Sequence, residues 1–303
     1  MTKIYIVILN FNGWEDTIEC LRSLEKVRST KDFSLEILVI DNASKNKSVD
    51  EIRRIFPHIN MIENPINTGF SGGCNEGMRY ALDNGADYVL LLNNDTTVDQ
   101  NFVSELYKSI QPDEVGGVVP KIYFEKGNEY HKDKYKKEDL GKIIWYAGGI
   151  MDWKNLIGHN RGVDQVDHGQ YDTSEATELA TGCCFMIKAS VLKKVGVFDD
   201  NYFLYYEDAD LCERIKKTGK KIVYTPRAFI WHKNAGSSGS GSVLQDYYIT
   251  RNRMLFGMRY APLRTKVALI KESVKLLASG RQWQKMGIKD YYLKKFNRGS
   301  FPI

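Results

Sequence analysis

Five short apolar runs, at residues 4–9, 35–40, 59–63, 88–92 and 115–120, punctuate the first 120 residues. Each is apolar on consecutive positions, so both of its faces must be covered; a half-exposed strand would alternate apolar with polar. Between them run helical patterns: Trp14, Ile18, Leu21 and Leu24, then Ile52 with Ile55 and Phe56, then Phe102, Leu106 and Ile110. Strand and helix in alternation is the signature of parallel βαβ construction, so the chain is expected to be α/β, with a mostly parallel central sheet flanked by helices.

The 303 residues, 43% of them hydrophobic, suffice for one large α/β domain with a helical appendage. The first run follows Met-Thr-Lys directly, is too short for a secretory h-region and has no small-residue cleavage site. No run approaches the roughly 18 apolar residues that cross a bilayer. Cys20, Cys74, Cys183, Cys184 and Cys212 are scattered, without a C-x-x-C pair, so neither a disulfide framework nor a zinc site is expected, and a reducing cytoplasm fits. Cys183 and Cys184 read as small buried hydrophobes.

Charge is divided unevenly along the chain. Residues 251–303 hold 13 Lys or Arg against Glu272 and Asp290, a local +11 within a net +5, which leaves −6 for the first 250 residues. Val267, Ile270, Val274 and Leu277 fall on one side of a helical pattern, with Lys266, Lys271 and Lys275 on the other, an amphipathic basic helix. Peripheral attachment to an anionic membrane is expected, on the inner face of the cell membrane, and no nucleic-acid partner, since the tail carries no reading motif. Residues 124–140 are dense in charge without periodicity and read as an exposed, mobile loop. The run Gly-Ser-Ser-Gly-Ser-Gly-Ser at 236–242 reads as a hinge or lid. A helix is expected from Glu207 to Thr218, ended by Gly219, with a strand at 222–224 beyond it.

In open parallel sheets ligands bind beyond the carboxyl ends of the strands. Four polar clusters stand there: Asn10-Phe11-Asn12-Gly13, Asp41-Asn42-Ala43-Ser44, the stretch from Asn64 to Asn75 with Gly69, Gly72 and Gly73, and Asn93-Asn94-Asp95. Each alone also reads as a turn or a helix cap. Together they put polar groups on one sheet edge at four consecutive strands, and the glycine-rich stretch is expected to be a loop along which backbone can approach phosphate before a helix opens.

The chain carries, in order, Asn10-Phe11-Asn12, Val39-Ile40-Asp41-Asn42-Ala43-Ser44, Asn67-x-Gly69-Phe70-x-Gly72-Gly73-x-Asn75, Leu91-Leu92-Asn93-Asn94-Asp95, Phe203-x-Tyr205-x-Glu207-Asp208-x-Asp210-Leu211 and His232. This set, spread over roughly residues 3–260, resembles the family 2 glycosyltransferases, and within them the bacterial rhamnosyltransferase-type branch. The resemblance implies a GT-A fold over residues 1–240, with a basic helical extension over 241–303 packed on or beside it. It implies that Leu9, Asn10, Asn12, Asp41 and Asn42 hold a nucleoside, and that Asn67, Gly69, Phe70, Gly72 and Asn75, with Asn93 and Asn94, line a diphosphate and sugar. Asp95 would coordinate a divalent metal, Mn or Mg, with His232 completing the site, and Arg251 would neutralise diphosphate. The sequence departs from the family at Asn93, where the first carboxylate of an Asp-x-Asp element often stands; an amide oxygen ligates a hard cation more weakly.

The implied activity is inverting transfer of a sugar, rhamnose favoured, from a nucleotide-diphosphate sugar to a hydroxyl of a glycan or lipid-linked acceptor in cell-surface polysaccharide synthesis. The donor implied is dTDP-rhamnose, with a UDP-sugar as the alternative. Asp208 would take the acceptor proton, Glu207 would orient acceptor or base, and Gly182, Trp145 and Tyr205 would face the acceptor. Two other readings compete. A catalytically silent sugar-nucleotide-binding module would not need the Glu207-Asp208 pair, and a nucleotidyltransferase would want a basic Gly-rich signature where residues 10–13 have no Lys or Arg. Asp41, Asp95, Asp208 and His232 are all expected to converge on a single cleft.

Overall fold

The structure is a computed structural model and describes residues 1–28, 30–233 and 242–302. Its first half follows the predicted alternation: β1 (Thr2–Asn10), α1 (Trp14–Leu24), β2 (Phe33–Asp41), α2 (Ser48–Ile55), β3 (Asn60–Glu63), α3 (Gly69–Asp83), β4 (Tyr88–Asn93), β5 (Thr96–Val98), α4 (Phe102–Ile110) and β6 (Val115–Phe124). All five predicted strands are present. There follow β7 (Ile144–Tyr146), the hairpin β8 (Gly149–Asp152) and β9 (Ile157–Asn160), then β10 (Glu175–Ala176), β11 (Cys184–Lys188), α5 (Ala189–Val195), α6 (Glu207–Lys216) and β12 (Lys221–His232).

The central sheet runs β10-β12-β6-β11-β4-β1-β2-β3, with β5 and β7 paired to the sides of β12 and β6. Pairs β1·β2, β1·β4, β2·β3 and β6·β12 are parallel, and β11 lies antiparallel between β4 and β6. Continuous burial of Ile4 to Ile8, Val89 to Leu92 and Val118 to Val119 matches strands covered on both faces. The parallel register sets Asn10 beside Asp41 and Leu9 beside Asn93, so three of the polar clusters share one sheet edge.

One expectation is corrected, and the charged stretch after β6 is the mostly exposed loop expected from sequence. The glycine-rich stretch is not a loop that precedes a helix: α3 begins at Gly69 itself, and Gly72, Gly73 and Asn75 lie in its first two turns. Glycine is required because the helix lies directly on the strands, a Cβ at Gly77 falling 2.3 Å from Val7 Cγ1. The charged stretch after β6 folds back on itself: buried Glu129 accepts the backbone N–H of both Gly127 and Gly141, at 2.8 Å each. The run 236–242, read as a hinge or lid, lies outside the described residues except for Ser242, whose hydroxyl accepts the Gln245 N–H at the start of the next helix.

That helix, α7 (Val243–Tyr260), is followed by α8 (Leu263–Ser279) and α9 (Gln282–Tyr292). Tyr247 and Tyr248 of α7 pack with Phe203 and Phe301, so the C-terminal segment is joined to the loop before α6 by a shared aromatic core. No helix among the described residues is long and apolar enough to cross a membrane.

Candidate active site

Two cavities lie beyond the strand ends. The first, of about 420 Å³, lies over the ends of β1, β2 and β4. Leu9, Asn12, Asn42, Asn67, Gly69, Phe70, Asn93, Asn94 and Asp95 line it. Asn10 and Asp41 are buried just behind that lining: Asn10 Nδ2 donates to Asp41 Oδ2 at 2.7 Å, and Ser44 donates its backbone N–H and its hydroxyl to the two Asp41 oxygens. Asn42 latches the segment that leads into α3, donating to Asn67 Oδ1 and Gly69 O and accepting from Asn64 Nδ2 and Thr68. Asn12 and Ala43 hold positive φ at the ends of their strands, a costly conformation fixed by these bonds.

Asp95 pairs with His232, Oδ1 to Nε2 at 3.1 Å; the imidazole is buried behind Asp95 and lines neither cavity. Burial disfavours the charge on Asp95, but the hydrogen bond and charge of His232 outweigh it and hold the carboxyl below its usual range. Burial likewise opposes the imidazolium, yet Cys183 and Asp95 together raise His232 to about 10. Lys233 clamps the end of β12 to α1 through Asp16 at 2.7 Å and Glu19 at 2.6 Å. Among the described residues that line the cleft, Asp16 and Asp95 are the charged ones, both acidic. No cluster of three or more His, Cys, Asp or Glu suited to a metal occurs among the described residues. A hard cation nevertheless fits the oxygen donors at the cleft, the Asp95 carboxylate and the Asn93 amide, with His232 Nε2 beside Asp95, leaving positions for ligand oxygens.

The second cavity, about 700 Å³, is enclosed by the β8–β9 hairpin, residues 179–181, the start of α6 and helices α7, α8 and α9. Asp208 lines it, beside Tyr205, Tyr206, Arg253 and Glu272. Its Oδ2 accepts the Gly182 N–H at 3.2 Å and its Oδ1 the Ala209 N–H at 2.8 Å; burial raises its pKa against the pull of those bonds. Tyr205 and Tyr206 both hold positive φ, and Asn252 of α7 supports the turn by donating to Leu204 O and Tyr205 O at 2.8 and 2.9 Å. The carboxyl of Glu207 is buried with Oε2 unpartnered, and burial, then the charge of Asp208, raises its pKa well above the ordinary range.

The single cleft expected from sequence is therefore two. Asp95 and Asp208 line different cavities, and the partition is thin: a Cβ on Gly182 would lie 2.8 Å from the ring of Phe70, which lines the first cavity, while the Gly182 N–H holds Asp208 in the second. Five further expectations are corrected. Arg251 is fully buried away from the cleft, donating to Asn252 Oδ1 and Asn297 O and lying over Tyr247 and Tyr248. Asn75 turns to the far side of α3, donating to Phe198 O and Asp200 Oδ1. Trp145 lines neither cavity and packs edge-on against His232, centroids 4.7 Å apart. Glu207 also lines neither, so it reaches no acceptor directly. Gly72 packs on Thr68 instead of facing the cleft. Sequence reasoning missed Asp16, which its place in the first turn after β1 could have signalled, and Glu272 and Asn155, which distant elements bring together without a local pattern.

Residues 5–196 match the family model described as glycosyl transferase family 2. The low-salt glycan biosynthesis hexosyltransferase Agl10 of Haloferax volcanii is 28% identical over 225 residues, covering 73% of this chain and 64% of that protein. The N-acetylglucosaminyl-diphospho-decaprenol L-rhamnosyltransferase of Mycobacterium tuberculosis is 42% identical over 59 residues, covering 20% of this chain and 19% of that one. The chain thus spans less than two thirds of both relatives. The dTDP-rhamnosyl transferase RfbF of Shigella flexneri is 23% identical over 264 residues, covering 84% and 79%. Among solved structures, the mannosyltransferase PcManGT of Pyrobaculum calidifontis, in complex with GDP-Man and Mn²⁺, superposes with a TM-score of 0.56 at 15% identity, over 96% of this chain and 86% of that one, which establishes the shared GT-A fold.

Proposed function

The chain belongs to glycosyl transferase family 2, and from that premise we propose that it moves a sugar from a nucleoside-diphosphate donor in the first cavity to an acceptor hydroxyl in the second. The observation that carries this reading is the arrangement itself: a cleft whose charged lining is acidic, separated by one ring and one peptide from a larger cavity that holds a buried carboxylate. Asp41, Asn10 and Ser44 shape the nucleoside end, and the backbone near Gly69 and the Asn67 amide face the diphosphate and sugar. Asp95 and His232, with the Asn93 amide, would hold Mn²⁺ or Mg²⁺, which supplies positive charge to the departing diphosphate.

Asp208 is the general base. Burial strengthens its affinity for a proton, which suits a carboxylate that must deprotonate a hydroxyl near neutral pH. The acceptor oxygen bonds to the anomeric carbon as that carbon's bond to the diphosphate oxygen breaks; the hydroxyl proton passes to Asp208 and the nucleoside diphosphate leaves. One displacement inverts the anomeric centre. Likeness to rhamnosyltransferases favours dTDP-rhamnose as donor, with a UDP-hexose as the alternative arm, and a glycan or lipid-linked acceptor in cell-surface polysaccharide synthesis. A cytoplasmic location suits the five buried, unpaired thiols.

Donor turnover and donor binding in Asp208→Asn test the assignment. The variant should retain donor binding and lose at least about a hundredfold in turnover, the scale of a positioned base. Unchanged turnover would remove Asp208 from the role, and no turnover of any sugar nucleotide by the unaltered chain would leave a binding module.

A further inference from the structure

We propose that the outward face of α8 lies on an anionic lipid surface. The inference is independent of the catalytic reading, since it rests on outward-facing residues that line neither cavity. The basic excess of the C-terminal segment is not uniformly available to a partner. Arg251 is buried, Arg253 is paired with Glu272, Arg259 with Asp199 and Asp210, and Arg281 with Asp246. Among the described residues, no ion pair joins Arg264, Lys266, Lys271 or Lys275 of α8 to a carboxylate, nor Lys285, Lys289, Lys294 or Lys295 on and after α9.

The same helix turns apolar side chains outward. Leu263, Val267, Ile270 and Val274 are 78%, 45%, 43% and 61% exposed, and their spacing of four, three and four residues puts them in one stripe along the helix. Leu269 and Ser273 are its buried positions, so α8 packs by a narrow inner face and leaves a wide apolar one to the outside. At 100° per residue, Arg264, Lys271 and Lys275 border one side of the stripe and Lys266 the other. Tyr292, whose hydroxyl meets Ser273 Oγ at 2.7 Å, and exposed Leu293 extend the apolar surface at the end of α9.

An apolar stripe bordered by three unpaired basic side chains on one side and by Lys266 on the other matches the boundary of acyl chains and anionic headgroups, with α8 in the plane of the surface. A second protein copy would set these positive borders against their own like, which disfavours a symmetric pair. The placement also has a use. Glu272 and Leu276 of α8 line the second cavity, so a bilayer on the outer face of α8 stands about one helix diameter, roughly 10 Å, from that cavity. An acceptor carried on a lipid anchor would meet the site there.

Co-sedimentation of the full chain with vesicles tests this, using phosphatidylcholine alone and an equal mixture of phosphatidylcholine and phosphatidylglycerol. Binding to the mixed vesicles, weakened by salt, is expected for the unaltered chain. Val267→Asp/Val274→Asp should weaken it roughly tenfold or more, through lost apolar insertion. Lys271→Ser/Lys275→Ser should weaken it by a similar factor, at roughly fivefold per charge. All four positions are exposed, so melting temperatures should hold, and the lysine pair gives a second variant should the aspartates perturb the helix. No binding to mixed vesicles overturns the proposal, as does binding that neither double variant changes. So does a dimer in sedimentation velocity that Val267→Asp/Val274→Asp dissociates, because the stripe would then be a protein interface.

Discussion

Glu207 and Asp208 are neighbours in sequence with different surroundings. Asp208 opens onto a cavity and accepts two backbone N–H groups, whereas Glu207 is buried with one oxygen unpartnered. Burial raises both pKa values, and the charge of Asp208 raises Glu207 further. In the unfolded chain Glu207 loses its proton in the ordinary range near 4.5; in the folded chain it keeps the proton to higher pH. Over that window the native state binds more protons than the unfolded state, so stability falls as pH rises, by up to about 1.4 kcal/mol per pH unit for one group. Glu207→Gln removes that slope. Denaturant midpoints compared from about pH 5 to about pH 8 should decline less in the variant than in the parent; parallel declines would show that Glu207 ionises freely in the folded state. Sequence disclosed the pair but not this division of labour, because sealing one carboxylate away and opening the next onto a cavity depends on which side of α6 faces α3 and which faces the hairpin, and that is decided by distant elements.

The elements that spacing predicted well are those with a long, self-sufficient pattern: β1, β2, β4, α1 and α4 are each recognisable from their own residues. The start of α3 was misread because four glycines in nine residues argue against a helix by propensity, while in the fold they allow it to lie on the sheet. The minor strands β5, β7, β9 and β10 have two to four residues each, too few for any period to show, and take their conformation from β12, β6 and β8. The contact of α3 with β1 gives a test at this scale. Gly77→Val would drive methyl groups into Val7 and Ile40, forcing α3 off the strands whose ends carry Leu9, Asn10 and Asn42. We expect a loss of about 1–3 kcal/mol or more in unfolding free energy, with donor affinity reduced along with it. A variant of native stability would mean that the helix is not set by this contact.

Across the whole molecule, the active-site region is built from three layers that the sequence presents far apart: strand ends for the donor cleft, the 181–183 segment and Phe70 as partition, and the hairpin with the C-terminal helices around the second cavity. The first was legible because polar clusters repeat after successive strands. The last was not, because Asn252, Arg253 and Glu272 look like ordinary helix residues until α7 and α8 are packed. The charge distribution then carries a consequence that motif order alone did not. With Arg251 removed from the cleft and its charged lining reduced to Asp16 and Asp95, a sugar diphosphate brings like charge to like, and at an effective dielectric near 20 one such pair at 4 Å is unfavourable by about 4 kcal/mol. His232 is paired with Asp95, and Lys233 is shared between Asp16 and Glu19, so neither cation is free to neutralise the diphosphate. Donor binding should therefore require a divalent cation: titration calorimetry with dTDP-rhamnose and UDP-hexoses should give affinities at least roughly a hundredfold weaker in chelator than in Mn²⁺ or Mg²⁺. Asp95→Ala should erase the difference by weakening binding in the presence of the cation, and Asn93→Asp, which adds a second carboxylate beside Asp95, should lower the cation concentration needed. Equal affinity with and without the cation would mean that the diphosphate is neutralised by groups other than those lining this cleft, and the assignment of Asp95 and His232 to a metal would fall with it.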